Sequence, residues 1–280
     1  MVTMSRAHTE PALDIGAYLD RIGYSGGTEP TLENLRGMQR AHFLHVPFEN
    51  LDISRGIEIE VDGAVNHEKL VGRRRGGFCL EVTGMFARML RALGYKVDVI
   101  GAQVEIENTP RFGGYFDDDT ARTRIDPNTP LSAPLSHMIA IVHLDEPWIA
   151  DVGFGGRLPE PLRLNERDPQ LFGIRTFSIA NDGDRWRVAC DEPGAPSGAY
   201  QFTMHPRAFE EFHDVCRWLQ TSPDSRFTHG DIVSLATPEG RVTLADDRLI
   251  INERGERTEI DVTSPEQKAQ ILRERFGITI

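Results

Sequence analysis

From Arg75 to Gly94 the sequence is RGGFCLEVTGMFARMLRALG, and this stretch predicts one helix with both of its ends. The apolar residues recur at the i, i+3, i+4, i+7 spacing of a helix that buries one face. They are Val82, Met85, Phe86, Met89, Leu90 and Leu93. Gly94 supplies the C-terminal stop. Cys79 is therefore predicted to lie at the N-terminal end of the helix, directly after two glycines.

Cys79 is a candidate nucleophile. At a helix start the unpaired backbone N–H groups and the positive end of the helix dipole favour a thiolate over a thiol. Arg73, Arg74 and Arg75 add positive charge nearby. The alternative is a buried, unreactive cysteine, which is the commoner state of a free cysteine. The glycines and the charges favour the reactive thiol.

A base for this thiol is predicted on a β-hairpin. Residues 137–142 (HMIAIV) and 147–152 (PWIADV) are short apolar runs on either side of a polar break. A loop with an odd number of residues, centred on Leu144, would place His137 opposite Asp151. Side chains opposite each other lie about 5 Å apart, close enough for an imidazole–carboxylate hydrogen bond. A two-residue turn would send the two side chains to opposite faces.

Together, Cys79, His137 and Asp151 match the nucleophile, base and orienting acid of covalent acyl transfer. Taken singly, His137 and Asp151 are more typical of ordinary strand residues. Their joint occurrence with Cys79 favours a catalytic triad. The backbone N–H of Cys79 is a candidate oxyanion donor because it lies at a helix start.

Several further motifs occur in order along the chain. They are residues 18–24 (YLDRIGY), 30–32 (PTL), 46–52 (VPFENLD), 75–81 (RGGFCLE), 151–155 (DVGFG), 221–227 (TSPDSRF) and 276–278 (FGI). In this order the motifs resemble those of the arylamine N-acetyltransferases, including the bacterial N-hydroxyarylamine O-acetyltransferases. The resemblance covers most of the chain.

The resemblance implies an α+β fold with an N-terminal helical bundle, an antiparallel β-barrel and a C-terminal α/β lid. It also implies a catalytic core like those of papain and transglutaminase. We expect residues 1–93 to form the bundle that carries Cys79. Residues 94–204 would form the barrel that carries His137 and Asp151, and residues 205–280 the lid.

The same resemblance implies a ping-pong transfer of acetyl from acetyl-CoA to an arylamine or arylhydrazine through an acetyl-cysteine, with O-acetylation of N-hydroxyarylamines as a further reaction. A cysteine suits this chemistry because exchange between two thioesters is close to energy-neutral. The resemblance places CoA near Gly153, Phe154 and Gly155 and near Ser225 and Phe227. Phe48, Val104 and Phe154 would line the acceptor pocket, with core packing as the alternative for each.

Two departures from the family pattern stand out. Thr83 occupies a position where the family usually has asparagine, which could alter the hydrogen bonding of the helix start. Residues 108–134 form a longer segment than expected, rich in proline, glycine and aspartate. A loop of that length is usually functional or mobile. Because it leads into His137, we expect it to border the acceptor pocket.

Other functions remain open from the sequence. An amide synthase, or a transferase of another acyl-CoA, would use the same triad. A catalytically silent binder of CoA or aromatic ligands is a third possibility, for which Thr83 is the only indication. A cysteine protease shares the order of the triad, but nothing in the 221–227 motif favours peptide binding.

Other candidate sites are weaker. His42 and His45 have a spacing that could hold a metal but lack a third ligand, so no metal site is predicted. The run 117–119 (DDD) is more typical of a solvated turn than of a calcium loop. Glu49 is predicted to pair with Arg75 and to position the loop before Cys79.

Composition excludes several classes of protein. With 280 residues and a net charge of −12, the chain lacks the basic face that nucleic acids require. It has no apolar run of membrane-spanning length and no signal-peptide core. Three cysteines, Cys79, Cys190 and Cys216, fit a reducing compartment without disulfides. We therefore expect a cytoplasmic protein whose partners are CoA and a small aromatic acceptor.

Overall fold

The computed structural model describes residues 13–106, 125–193 and 195–280. Within these ranges the predicted α+β architecture is confirmed. N-terminal helices pack on an eight-stranded antiparallel sheet that forms a nearly closed barrel, and a second sheet of five strands follows. The division into three domains at residues 93 and 204 stays a prediction.

The described residues form seven α-helices. They are α1 (Ile15–Ile22), α2 (Leu32–His45), α3 (Leu51–Ser54), α4 (Gly63–His67), α5 (Cys79–Ala92), α6 (His213–Thr221) and α7 (Pro265–Phe276). Thr31 caps α2, because its Oγ1 accepts from the N–H of Asn34 at 3.3 Å. Ser264 caps α7 in the same way. None of the helices described here is both long and apolar enough to cross a bilayer.

The barrel sheet has the order β5-β4-β3-β2-β9-β8-β7-β6. Its strands are β2 (Lys96–Val104), β3 (His137–His143), β4 (Pro147–Ala150), β5 (Leu162–Arg163), β6 (Gln170–Phe172), β7 (Arg175–Asp182), β8 (Arg185–Glu192) and β9 (Ala195–Pro206). Strand β2 is continuous from Lys96 to Val104, with a register shift beside Gly101.

The second sheet joins the N-terminal helical part of the chain to its C-terminal part. Its order is β1-β10-β11-β12-β13, and it consists of β1 (Phe48–Glu49), β10 (Ile232–Thr237), β11 (Gly240–Ala245), β12 (Arg248–Glu253) and β13 (Glu256–Asp261). Strand β1 pairs with β10, so that Phe48 lies opposite Ser234. A two-residue strand from the helical region therefore forms the edge of the C-terminal sheet.

Helix α5 lies at the centre of the molecule. Every residue from Cys79 to Leu90 is buried, whereas the sequence pattern predicts burial of one face only. The difference arises because α5 contacts α1 and α4 as well as strands β2 and β3. The nucleophile candidate thus begins a helix that is held from all sides.

Candidate active site

The loop before Cys79 is held by backbone contact with β1. The N–H of Glu49 donates to the carbonyl of Gly77 at 3.0 Å, and Gly77 N–H donates to the carbonyl of Pro47 at 3.3 Å. A Cβ at Gly76 would lie 1.9 Å from that same carbonyl oxygen, so only glycine allows this approach. Cys79 then occupies the first position of α5, as predicted.

Glu49 and Arg75 form the predicted ion pair. The Nε atom of Arg75 donates to Oε1 of Glu49 at 2.9 Å, and both side chains are buried. Arg75 also donates to Oδ1 of Asp52 at 3.0 Å. The pair therefore joins the loop before Cys79 to the segment that contains β1 and α3.

Three buried residues that the sequence did not point to extend this pair under the start of α5. Nζ of Lys69 lies 2.8 Å from Oδ2 of Asp52 and 2.7 Å from Oε1 of Glu81. The other carboxylate oxygen of Glu81 accepts from the N–H of Phe78 at 3.0 Å, which caps the helix. Burial raises the pKa of Glu81 to about 7, although Lys69 opposes the shift. We call Glu49, Asp52, Lys69, Arg75 and Glu81 the buried charge network.

The hairpin has the predicted odd-membered loop, but its centre is Asp145 and not Leu144. Strand partners such as Ala140 and Ala150 show this register. The prediction that His137 and Asp151 stand directly opposite each other is therefore wrong, and the two are offset diagonally by two positions. An even separation still keeps both side chains on one face. Long side chains can bridge such a diagonal.

His137 and Asp151 meet at hydrogen-bonding distance. The Nε2 atom of His137 is 2.9 Å from Oδ2 of Asp151, and both residues are at most 2% exposed. The remaining oxygen of Asp151 accepts from the N–H of Gly153 at 2.8 Å. The carboxylate is thus fixed by the backbone just after β4 and orients the imidazole.

The His137 imidazole also contacts the thiol. Burial alone lowers the pKa of His137, but the Asp151 carboxylate and hydrogen bonds with Asp151 and Cys79 outweigh it and raise the pKa to about 10. Since Nε2 faces Asp151, Nδ1 is the ring nitrogen available to the sulfur. The Sγ atom of Cys79 lies 3.3 Å from the carbonyl oxygen of Ser136. The structure thus brings the three predicted triad residues together.

Gly153 lies against the nucleophile. A Cβ at this position would be 2.8 Å from Cα of Cys79 and 2.6 Å from Oγ1 of Thr83. The Thr83 hydroxyl is fully buried and has no hydrogen-bond partner among the described residues. The unusual residue noted in the sequence therefore packs behind Cys79 and against Gly153.

A cavity of about 760 Å³ opens beside Cys79 and His137. Every residue proposed from the sequence as a CoA or acceptor contact lines it, namely Phe48, Val104, Gly153, Phe154, Gly155, Ser225 and Phe227. The ring centroids of Phe154 and His137 are 5.6 Å apart, and those of Phe227 and Phe48 are 6.2 Å apart. The cavity is therefore aromatic near the thiol.

The Ser225 hydroxyl fixes the backbone of the loop between Leu219 and Phe227. It donates to the carbonyl of Leu219 at 2.5 Å and accepts from the N–H of Phe227 at 3.3 Å. Asn50, which the sequence analysis did not single out, holds the same loop from the other side, because its Nδ2 donates to the carbonyls of Phe227 and Gly230. These bonds place the Phe227 ring at the cavity wall.

Part of the long segment before His137 also reaches the cavity. Leu131, Ser132 and Ala133 line it, while residues 107–124 lie outside the described residues, together with the aspartate run at 117–119. His42 and His45 make separate hydrogen bonds, to the Tyr18 hydroxyl at 2.6 Å and to the Ala41 carbonyl at 2.8 Å. No group of metal-ligating side chains occurs among the residues that the structure describes.

Comparison with known proteins identifies the family. The model of the N-acetyltransferase family matches residues 31–117 and 114–280. The chain is 33% identical to the pineal gland isozyme NAT-3 of arylamine N-acetyltransferase from Gallus gallus, over 96% of this chain and 95% of that protein. It is 30% identical to the arylamine N-acetyltransferase of Mycolicibacterium smegmatis, over 96% and 93% of the two chains.

A solved structure agrees with these sequence relatives. The arylamine N-acetyltransferase of Mycobacterium marinum in complex with CoA superposes with a TM-score of 0.81 at 29% identity, covering 95% of this chain and 93% of that one. The resemblance noted in the sequence is confirmed. The chain belongs to the arylamine N-acetyltransferase family and is an acetyltransferase.

Proposed function

We propose that the enzyme transfers acetyl from acetyl-CoA to aromatic amines and hydrazines in two half-reactions, through an acetyl group on Cys79. The observation that carries this proposal is the buried His137–Asp151 pair, 2.9 Å apart, beside the only cysteine that lines the described cavity. The CoA complex of the similar M. marinum enzyme supports CoA as the carrier of the acetyl group.

Protonated His137 and a thiolate at Cys79 form the starting state. A positive imidazole next to the sulfur favours negative charge there, and Asp151 stabilises the imidazolium. The sulfur attacks the thioester carbonyl, and a new S–C bond forms. The bond from the carbonyl carbon to CoA sulfur then breaks. CoA leaves as a thiol after taking the proton of His137, which becomes neutral.

The second half-reaction reverses these roles. The nitrogen of the acceptor attacks the acetyl carbonyl, and neutral His137 takes the proton of the amine. Cys79 leaves as a thiolate beside the imidazolium, so the starting state is restored. The oxygen of an N-hydroxyarylamine can replace nitrogen as the attacking atom, which accounts for O-acetylation. In both halves the N–H of Cys79 is the proposed oxyanion donor, since the first N–H groups of a helix lack intrahelical partners.

The cavity residues have proposed roles in binding. Phe48, Val104 and Phe154 suit the aryl ring of the acceptor, because they are apolar and lie beside the thiol. Gly153, Phe154 and Gly155 are proposed to contact CoA through their backbone, with Phe227 at the same wall. Ser225 would act by fixing the position of Phe227, since its hydroxyl is already used within the loop.

Intact-mass measurement after incubation with acetyl-CoA tests the intermediate. We expect one acetyl adduct on the wild type and none on Cys79→Ala. Cys190→Ala and Cys216→Ala are matched controls, because burial raises the pKa of these two thiols to about 11 and about 12 and keeps them protonated. Both controls should acquire the adduct, and an added arylamine should discharge it.

Two results would refute the proposal. Absence of an adduct on the wild type with active acetyl transfer would indicate direct transfer within a ternary complex. An adduct that persists on Cys79→Ala would place the carrier elsewhere. Parallel double-reciprocal plots for the two substrates are expected from the two-step mechanism.

A further inference from the structure

The N-cap of helix α5 lacks the side-chain acceptor that a helix start usually has. Phe78 occupies this position with an extended backbone, at φ −85° and ψ 179°, and its ring accepts no hydrogen bond. The first two N–H groups of the helix, those of Cys79 and Leu80, find no acceptor among the described residues. The fold therefore leaves both groups unpaired beside the thiol.

Glu81 fixes the N-cap residue in place of the missing cap. Its Oε2 accepts from the N–H of Phe78 at 3.0 Å, and its own N–H donates to the carbonyl of Phe78 at 3.0 Å. The same carbonyl accepts from the N–H of Val82 at 3.1 Å. Phe78 is thus bound at both its N–H and its carbonyl by the first turn of α5.

These bonds set the direction of the Cys79 N–H. The carbonyl of Phe78 and the N–H of Cys79 belong to one trans peptide group, so they lie in one plane and point in opposite directions. Because the carbonyl points into the helix, the N–H points out of its N-terminus. In the described part of the chain, Glu81 provides the only side chain that hydrogen-bonds to Phe78. Rotation of Phe78 would turn the Cys79 N–H with it.

The surroundings of Glu81 fit an ionised carboxylate. Its Oε1 lies 2.7 Å from Nζ of Lys69, while Oε2 faces the N–H of Phe78, so each oxygen accepts from a donor. Gly77 leaves room for this arrangement, since a Cβ there would lie 2.8 Å from Oε2. Hydrogen bonds to an ionised acceptor are about twice as strong as those to a neutral one. The charge of Glu81 therefore strengthens its hold on Phe78.

Glu81 loses this charge near neutral pH. Burial raises its pKa to about 7, and the next largest effects are those of Lys69, which lowers the pKa, and Glu49, which raises it. The Cys216 thiol on α6 also interacts with Glu81. The other charged groups of the buried charge network, bonded to Lys69 and Glu49, are Asp52 and Arg75. As the pH falls through about 7, the neutral carboxyl becomes a weaker acceptor and the helix start is held less firmly.

We propose that Glu81 is a positioning residue for acetyl transfer, whose ionised carboxylate fixes Phe78 and so directs the N–H of Cys79 at the oxyanion. This proposal rests on the proposed function, in which that N–H stabilises the oxyanion of both half-reactions. The thiolate itself depends on His137 and Asp151. Loss of the Glu81 charge should therefore slow acyl transfer without slowing a reaction of the thiolate that develops no oxyanion.

Two reactions of Cys79 separate these effects. Loading from acetyl-CoA develops an oxyanion, whereas alkylation by iodoacetamide needs only the thiolate. The ratio of the two rates, both followed by intact-mass measurement after rapid quenching, cancels the fraction of thiolate. His137 stays protonated throughout, since its pKa is about 10. In the wild type we expect this ratio to fall as the pH is lowered from 8 to 6, through the pKa of Glu81.

Glu81→Gln should abolish this pH dependence. At pH 8 its ratio should lie about tenfold or more below that of the wild type, because a neutral amide holds Phe78 less firmly and misplaces the oxyanion donor. The ratio should then stay constant down to pH 6, since the amide does not titrate. Urea denaturation at pH 6 and pH 8 verifies that the variant is folded under the conditions of the assay.

Glu211 provides a matched control at another helix start. Its Oε1 accepts from the N–H of Ala208 at 2.8 Å, which is the same bond between the third residue and the N-cap. The Glu211 side chain is 41% exposed, and the short helix Phe209–Phe212 does not line the cavity. Glu211→Gln should leave both the ratio and its pH dependence unchanged.

Parallel loading from 4-nitrophenyl acetate distinguishes this proposal from the proposed function, because that ester needs no CoA contacts. Loading by the ester but not by acetyl-CoA would refute the proposed donor, while the ratio measured with the ester would still test Glu81. Absence of loading from both donors would overturn the two proposals together.

Three results would overturn the role of Glu81 alone. The first is a wild-type ratio in Glu81→Gln, and the second is a fall with acid that this variant retains. The third is an equal drop in its loading and alkylation rates, since Glu81 would then act on the thiol or on the fold as a whole. If Glu81→Gln does not fold, the wild type decides, and a constant ratio between pH 8 and pH 6 would overturn the proposal.

Discussion

Replacing Lys69 with methionine should destabilise the protein by about 3–5 kcal/mol. Lys69 is 3% exposed and is the only cation between Asp52 and Glu81 in the described contacts. Without it, the buried charge network retains three carboxylates and only the Arg75 guanidinium. Methionine keeps most of the volume of the side chain, so the change tests charge and not packing.

The magnitude follows from the two contacts. At 2.7 and 2.8 Å, each would be worth about 6 kcal/mol with an effective dielectric constant of about 20. The cost of desolvating the ammonium group, several kcal/mol, offsets much of this gain. The charge and the hydrogen bond of Lys69 lower the pKa of Glu81. Without them, Glu81 should become protonated at neutral pH. That protonation limits the loss to a few kcal/mol.

Urea denaturation measures the effect, and the chain offers a matched control. Arg55 pairs with the same carboxylate as Lys69, at 3.5 Å from Oδ1 of Asp52, but its side chain is 39% exposed. Arg55→Met should therefore cost less than about 1 kcal/mol. The double variant Lys69→Met/Glu81→Gln should recover part of the loss, since a neutral amide removes the free-energy cost of protonating Glu81 at neutral pH. Equal losses for Lys69→Met and Arg55→Met would refute the reasoning.

Three further changes test the site. In Asp151→Asn the loss of unfolding free energy relative to wild type should be largest below pH 6.5 and should shrink as pH rises towards 10. The reason is that the raised pKa of His137 stabilises the fold only while the imidazole is protonated. Urea denaturation curves at pH 6, 8 and 9.5 measure this dependence. Gly153→Ala should cost about 1–3 kcal/mol in urea denaturation and slow acetyl loading, since its Cβ would press on the backbone of Cys79. Glu49→Gln should reduce soluble yield and specific activity together, because it breaks a buried ion pair, and a stable, fully active variant would contradict that role.

Helix ends are predictable from this sequence because their signals are local. Thr31 and Ser264 cap α2 and α7, and a hydroxyl reaches an N–H three residues away without help from the rest of the fold. The C-terminal end of α5 is marked by Gly94, whose φ of +88° suits glycine. Such features depend on a few consecutive residues.

The hairpin shows where local reasoning stops. The parity of the loop is enough to place His137 and Asp151 on one face, and that part of the prediction holds. The centre of the loop depends on whether His143 pairs with Pro147, which the surrounding sheet decides. Strand β9 (Ala195–Pro206) is missed for a related reason, because its glycine, serine and prolines give no alternating pattern, and pairing with β2 and β8 makes it a strand.

Buried charged residues are even harder to predict from the sequence than the hairpin register. Lys69 and Asp52 resemble ordinary surface residues of a helix, and only the fold brings them within 2.8 Å of each other. Arg241 and Glu192 are the same case, since they are 49 positions apart in the numbering and lie 3.5 Å from each other only because the barrel packs on the C-terminal sheet. The role of a buried charged group depends on the partners that the fold brings to it, and the spacing of residues along the sequence does not identify those partners.

The position of the thiol depends on both ends of the chain. Phe48 forms a bridge with Gly77 on one side and pairs with Ser234 on the other, so a continuous line of backbone contacts joins the loop before Cys79 to the C-terminal sheet. The same sheet supplies Arg241 to the cavity. His137, by contrast, is held by the barrel. Alignment of sulfur with imidazole therefore requires that sheet and barrel both pack correctly on α5, and residues far from the chemistry can alter activity by shifting one against the other.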